Sequence, residues 1–322
     1  MLNRIIQLVS LFFFGVAFWL IVKEVEHVGL SRLITLIINT PFWVLVLAFI
    51  FVVADYIVLM VYDVLALDYI RRKVPLKTVF KTSLVGFSVS NTAGHSYLSG
   101  GAVRYLFYTP IGISQSQILV IIAFETLTLF MGMGLVYVFA TVCLPFVSEL
   151  METMHYALYF CISGLIVVAF LMYYFGVVVP KRKLKIKGVQ LNAPSKMMTA
   201  LQLLTGFADN FLLSLIFYSI LRYHIDVDFL PVFVVFTLAQ ITAQVSQVPG
   251  GLGVFASLFL LMFPHLPAEK GAILATLFVY RILYFFIPFF VALFYLGFYE
   301  IKKEYMLQGM NNKILFCFCC CF

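Results

Sequence analysis

Long apolar runs recur along the chain, and they constrain its fold more than any other feature. About 20 apolar residues cross a hydrocarbon core of about 30 Å. Runs of that order lie at 5–22, 41–67, 117–142, 155–179, 198–222 and 271–299. Hydrocarbon offers backbone N–H and C=O groups no partner, so each run is predicted to be a helix. Composition agrees, with 64% hydrophobic and 11% charged residues, where a soluble domain has about 45–50% and about 25%. No stretch is both polar and long enough to be an extramembrane catalytic domain. The expectation is an all-α polytopic membrane protein with about six spanning helices, residues 1–299 forming the transmembrane domain and 300–322 a short tail. The run 5–22 follows a single Arg4 and lacks a small-residue cleavage site, so it reads as a retained span rather than a signal peptide.

Charge orients these runs. The net charge of +7 would suit nucleic acid, but the basic residues sit in short loops, where anionic headgroups are the fitting partner. Arg4, the loops 68–81 and 180–197 and the C-terminal tail together hold fifteen Lys and Arg, whereas Lys23, Arg32, Arg222 and Lys270 are the four on the other side. By the positive-inside rule both termini are expected in the cytoplasm.

Two segments do not read as simple spans. Residues 82–116 are moderately apolar and carry SNTAGHSYLSGGAVR. Residues 230–263 break at PGGLG (249–253) and resume for ten apolar residues, enough for roughly 15 Å of helix. Both are predicted to be re-entrant or broken helical hairpins, the first from the cytoplasmic side and the second from the outer side. Paired interrupted segments in two antiparallel halves point to an inverted-repeat transporter with its site near the midplane. The two halves share no clear residue-level repeat, and a bundle with two irregular helices is the alternative.

The candidate binding residues follow from those hairpins. In the first, Ser99, Gly100, Gly101 and Arg104 would place free N–H groups and a guanidinium together if a helix began near Ala102, which suits a phosphate. Asn91 and Ser96 add neutral donors. The competing reading makes Arg104 an interfacial anchor. In the second, Gln240, Gln244, Ser246 and Gln247 lead into Pro249, Gly250, Gly251 and Gly253. Proline and glycines there allow an unwound backbone lining a polar cavity; tight packing through small residues is the alternative. A charge inside a span costs about 2.5–3.5 kcal/mol on insertion scales. Asp55, Glu125, Asp209 and Arg281 are therefore candidates for a polar path, with Arg281–Asp209 as a structural ion pair in the alternative. Asp63 and Asp68 are expected to be solvated at a span end.

No nucleophile elbow, zinc-protease motif, phosphate loop or dinucleotide fingerprint occurs. No catalytic residue, metal or cofactor is therefore assigned, and His95 reads as a hydrogen-bonded structural residue. Four of the six cysteines lie in the final CFCCCF, which lacks the histidine or second pair of a zinc site; a poorly ordered or acylated tail is expected.

LSGGAVRYLFYTPIGIS (98–114), QVPGGLGVF (247–255) and YRILYFFIP (280–288) together resemble the lysylphosphatidylglycerol synthase transmembrane region, also called the flippase-like family. Bacterial multiple peptide resistance factors belong to it. Ser99, Gly100, Arg104, Gly112, Ser114, Pro249, Gly250, Gly251, Gly253, Arg281, Tyr284 and Pro288 fit the family pattern. One departure is Ala256 and Ser257, where a glutamate usually follows the PGGLG turn. Another is that the chain ends before any soluble transferase domain. The resemblance implies a flippase-like domain that binds and translocates a phospholipid, an aminoacylated lipid or a polyprenyl-type lipid. A membrane-embedded enzyme, an accessory subunit for aminoacyl- or glycosyl-lipid synthesis, or a scaffold is the alternative. The partners to expect are the membrane, that lipid, and either a second copy of the chain or a separate synthase, with no nucleic acid.

Overall fold

A computed structural model describes residues 34–35, 38–93, 96–147, 156–181, 183–186, 189–246, 255, 257–259 and 270–297. Its helices are α1 (Phe42–Tyr69), α2 (Leu76–Ala93), α3 (Ser96–Tyr108), α4 (Gln115–Cys143), α5 (Tyr156–Tyr173), α6 (Lys196–His224), α7 (Phe229–Ser246) and α8 (Lys270–Arg281). A π-turn, Ile282–Phe286, carries α8 onward, and the apolar helix ends at Gly297. Five helices are long and apolar enough to cross a membrane: Phe42–Tyr69, Gln115–Phe146, Leu158–Val178, Lys196–His224 and Gly271–Gly297. They coincide with five of the six runs expected from sequence. The sixth, 5–22, lies outside the described residues, as do the tail 298–322 and the PGGLG turn.

Local signals set the helix starts. Ser114 caps α4, its Oγ accepting from the Gln117 N–H while the Gln117 side chain reaches back to the Ser114 N–H, a reciprocal capping box. Ser195 caps α6 by accepting from the Met198 N–H at 3.1 Å. Sequence reading of the loop 180–197 missed one feature. Lys183–Ile186 and Val189–Asn192 form a two-stranded antiparallel hairpin, Lys183 opposite Asn192. The alternation Lys-Leu-Lys-Ile is a strand signal that a search for spans passes over.

α1 and α6 form the central pair, and their ends fix their direction. The Tyr69 hydroxyl, at the end of α1, donates to the Asn192 carbonyl just before α6 at 2.5 Å. Thr40, just before α1, bonds His224, the last residue of α6, at 3.1 Å. The two helices are therefore antiparallel, and the basic loops 68–81 and 180–197 lie at the same end of the bundle. α4 crosses α6 at Gly132 and Gly206. A Cβ on either glycine would overlap the other's backbone, so only glycine permits this close approach. α5 stands at the periphery, its Leu165, Leu171 and Met172 side chains exposed, as expected for a lipid-facing helix.

The first irregular segment is a helical hairpin, α2–α3, whose two feet lie together. Arg72, before α2, donates to the Gln117 side chain at the start of α4 at 3.5 Å. Its first arm reaches the middle of α1. Ser88 donates to the Tyr56 hydroxyl at 3.2 Å, and Tyr56 lies midway along α1. The hairpin thus enters and leaves at the basic end. The glycine pair does not open a helix near Ala102, as expected, but lies inside α3. A Cβ at Gly100 would meet Ser90 Oγ and Arg104 Nη1, and one at Gly101 would meet Ile122 Cδ1. These glycines let α3 lie close to α2 and α4 rather than present a helix N-terminus. α7 starts at the opposite end, just after α6, and Gln240 and Gln244 on it reach the centre of the bundle.

Candidate functional site

A cavity of about 160 Å³ lies where the hairpin α2–α3 and α7 come together. Its wall is built from Tyr62 of α1, Ser90 and Asn91 of α2, Arg104 of α3, Glu125 of α4, Asp209 and Asn210 of α6, Gln240 and Gln244 of α7, and Tyr280, Arg281 and Tyr284 of α8 and its π-turn, with apolar residues between. Six ionisable side chains are buried among the described residues: Asp55, Asp63, Arg104, Glu125, Asp209 and Arg281.

Arg104 is 3% exposed and holds two carboxylates. Its Nε and Nη2 donate to Asp63 Oδ1 and Oδ2 at 3.1 and 3.0 Å. Nε also lies 3.0 Å from Glu125 Oε1, and Nη2 lies 2.7 Å from Oε2. Nη1 points back to the Gly100 carbonyl at 3.4 Å, and the guanidinium lies over the Phe87 ring, 4.8 Å from its centroid. Both carboxylates share the one Nε–Nη2 edge, a planar fork that a guanidinium offers and an ammonium does not. Asp63 also accepts from Ser83 Oγ at 2.8 Å and Tyr108 Oη at 3.0 Å. Asp63 was expected to be solvated; it is fully buried. It follows Asp55 by eight residues and so shares its helix face, a signal the sequence already carried. Arg104 therefore sits in an ion cluster, not at the membrane interface.

A second acidic centre lies beside it. Asp55 and Asp209 are each thirteen residues into their helices, roughly 20 Å from each start. In an antiparallel pair they come to the same level, side by side on the two helices. Tyr284 Oη donates to Asp55 Oδ2 at 2.9 Å, and Tyr62 Oη donates to Asp209 Oδ2 at 2.7 Å. Asn91 Nδ2 donates to Tyr284 Oη at 3.3 Å, tying the tip of the first hairpin to this pair. Asp55 Oδ1 is buried with no hydrogen-bond partner. The ion pair expected between Arg281 and Asp209 does not form; the salt bridges inside the bundle are those of Arg104, among the described residues. Arg281 closes α8 at the cavity wall, where the π-turn begins. Such single-turn widenings often mark functional sites, and this one carries Tyr284.

The structure thus brings Gly100, Gly101, Arg104, Asp55, Glu125, Asp209 and Arg281 around one centre. For Ser99 the backbone lies in α3. Gln247, Pro249, Gly250, Gly251 and Gly253 lie outside the described residues. Sequence reading missed Tyr62 and Tyr108, whose hydroxyls bind the carboxylates. Their signal was weak, since tyrosines in an apolar run read as core.

Spanning helices around a buried, acid-rich cavity define a polytopic membrane protein with a polar core. The sequence matches the family described as lysylphosphatidylglycerol synthase TM region over residues 7–292, and the chain belongs to that family. It is 31% identical to the Synechocystis protein slr0712 over 265 residues, 80% of each chain. It is 26% identical to the inner membrane protein YbhN of Escherichia coli, over 75% of this chain and 76% of that one. It is also 26% identical to the phosphatidylglycerol lysyltransferase of Bacillus subtilis, over 85% of this chain and 32% of that protein. The similarity to the lysyltransferase therefore concerns about a third of its length.

Proposed function

We propose that the protein binds the headgroup of a phospholipid in this cavity and passes it across the bacterial inner membrane, both termini lying in the cytoplasm. The observation that carries this reading is the cavity itself. It holds charged and amide side chains and is lined by the hairpin α2–α3 from one end of the bundle and by α7 from the other. Such an arrangement is the pattern of alternating access around a central site, and the side-by-side placement of Asp55 and Asp209, at matching positions of two antiparallel halves, supports an inverted repeat.

The division of labour follows from charge. Arg281, the hairpin wall at Ser99, Gly100, Gly101 and Arg104, and the turn at Gln247, Pro249, Gly250, Gly251 and Gly253 would face the phosphate. Asp209 and Glu125, with Asp55 behind them, would face a cationic group. The lysyltransferase relatives point to phosphatidylglycerol or its aminoacyl ester as the lipid class, with a separate synthase subunit as partner.

The test is transbilayer movement of fluorescent phosphatidylglycerol and lysyl-phosphatidylglycerol in proteoliposomes. Movement above that of protein-free vesicles, lost on Arg281→Gln while detergent melting stays unchanged, would support the reading. Equal movement with and without protein for both lipids would overturn it.

A further inference from the structure

The six buried ionisable side chains are four acids and two bases among the described residues. Fully ionised, they would leave two uncompensated negative charges in the bundle, and an isolated ionised carboxylate is among the costliest groups to remove from water. The two acidic centres handle this differently. Asp63 and Glu125 share Arg104. Asp55 and Asp209 make no ion pair with any Lys or Arg among the described residues; what they receive are the neutral hydroxyls of Tyr284 and Tyr62. Two ionised carboxylates side by side repel, whereas one proton held by the pair removes that repulsion. Independently, Asp55 Oδ1 is completely buried and lacks a partner. An ionised carboxylate would leave charge on that unsatisfied oxygen, and protonation removes the charge.

We propose that Asp55 and Asp209 form a proton-binding carboxyl pair that exchanges its proton for the cationic group of the lipid headgroup. This rests on the lipid-translocating reading above and supplies its coupling ion. In the resting state the pair holds one proton and one negative charge. When an ammonium group reaches Asp209 from the cavity, the proton leaves the pair for water in the cavity, and the second carboxylate is balanced by the ammonium. Charge is conserved at the site, so the step exchanges one cation for another. The ionisable groups around the pair are Tyr56 and Tyr62 on its own helix, Tyr280, Arg281 and Tyr284 from α8, and Glu125 from α4. Asp63 and Glu125 are both anchored to the Arg104 guanidinium, whereas the aspartate pair has no such cation among the described residues, so the shared proton is placed on the aspartates.

The test separates the proton from the transport. Infrared difference spectroscopy of the full chain in phosphatidylglycerol vesicles, as pH is raised, should show loss of a protonated-carboxyl C=O band that shifts in D₂O. Asp55→Asn and Asp209→Asn should each abolish that band. Dicyclohexylcarbodiimide, which attacks protonated carboxyls in apolar surroundings, should modify Asp55 or Asp209 in the unmutated protein, and lysyl-phosphatidylglycerol should suppress the modification. A wild-type band unaffected by either asparagine variant, or an unmutated protein with no carbodiimide adduct at either aspartate, would overturn the proton site. Failure of the lipid alone to suppress labelling would overturn the exchange while leaving the proton. Absence of any lipid movement would instead overturn the reading on which the exchange rests.

Discussion

Replacing Arg104 by methionine removes the one cation that serves two buried carboxylates. Asp63 would keep the Ser83 and Tyr108 hydroxyls. Glu125, whose donor is Arg104, would lose its pairing altogether. Removing one member of a buried ion pair costs about 3–5 kcal/mol, because the partner stays charged and dry. We expect Arg104→Met to fall in that range. Arg104→Lys should recover part, since an ammonium restores the charge but cannot serve both forks, and each lost charge-assisted hydrogen bond is worth about 1.5–3 kcal/mol. Adding Glu125→Gln to Arg104→Met should restore stability, with a coupling of about 0.5–3 kcal/mol. The assay is reversible unfolding by sodium dodecyl sulfate in mixed micelles, read by circular dichroism. An Arg104→Met loss under about 1 kcal/mol, or a double variant no more stable than the single one, would refute the ion-cluster account. An interfacial anchor, by contrast, would tolerate lysine fully.

Three further outcomes follow from the packing. Gly206→Leu, which puts a side chain into the backbone of Gly132, should destabilise by at least the roughly 1–3 kcal/mol of overpacking, measured in the same micelle assay. Tyr62→Phe removes the 2.7 Å hydrogen bond to Asp209, and a loss of about 1.5–3 kcal/mol is expected there, with Tyr218→Phe as a control near zero. Single cysteines at Lys73 and Lys181 should react with an impermeant maleimide from the same face of the membrane, because both loops lie at one end of the α1–α6 pair; labelling from opposite faces would contradict the antiparallel pairing.

The spans were legible because length and apolarity suffice to define a membrane helix, and α1, α4, α6 and α8 fall within a few residues of the runs that announced them. The hairpin α2–α3 was legible as an irregularity: glycines and hydroxyls inside a half-apolar segment. What those glycines do was not. Gly100 and Gly101 suggested a helix start, and only the close approach of Ser90 and Ile122 shows them easing helix contacts instead. The partners of the charges were equally hidden. Asp55, Glu125, Asp209 and Arg281 stand out in an apolar sequence, but pairing depends on helix rotation and tilt. Arg281–Asp209 was plausible by depth, yet rotation turns Asp209 toward Asp55 and Tyr62. Asp63, near a span end by count, is buried because the hairpin covers it and contributes Ser83, Arg104 and Tyr108.

That last contact bears on why the chain has a helical hairpin at all. A helix that spans fully can bring one arginine to α1, but it fills the same space at every depth. A hairpin delivers Arg104, Ser83 and Asn91 from one end. α7 enters from the other end and brings Gln240 and Gln244 to the same cavity. A purely structural polar core would be expected to match its charges, because any surplus is destabilising and adds nothing to packing. Among the described residues four buried acids face two buried bases, and the surplus sits on the side of the cavity where Asp209 lines the wall. Retaining a destabilising surplus where the hairpin α2–α3 and α7 line one cavity is what a site that receives a cation requires, and a scaffold does not.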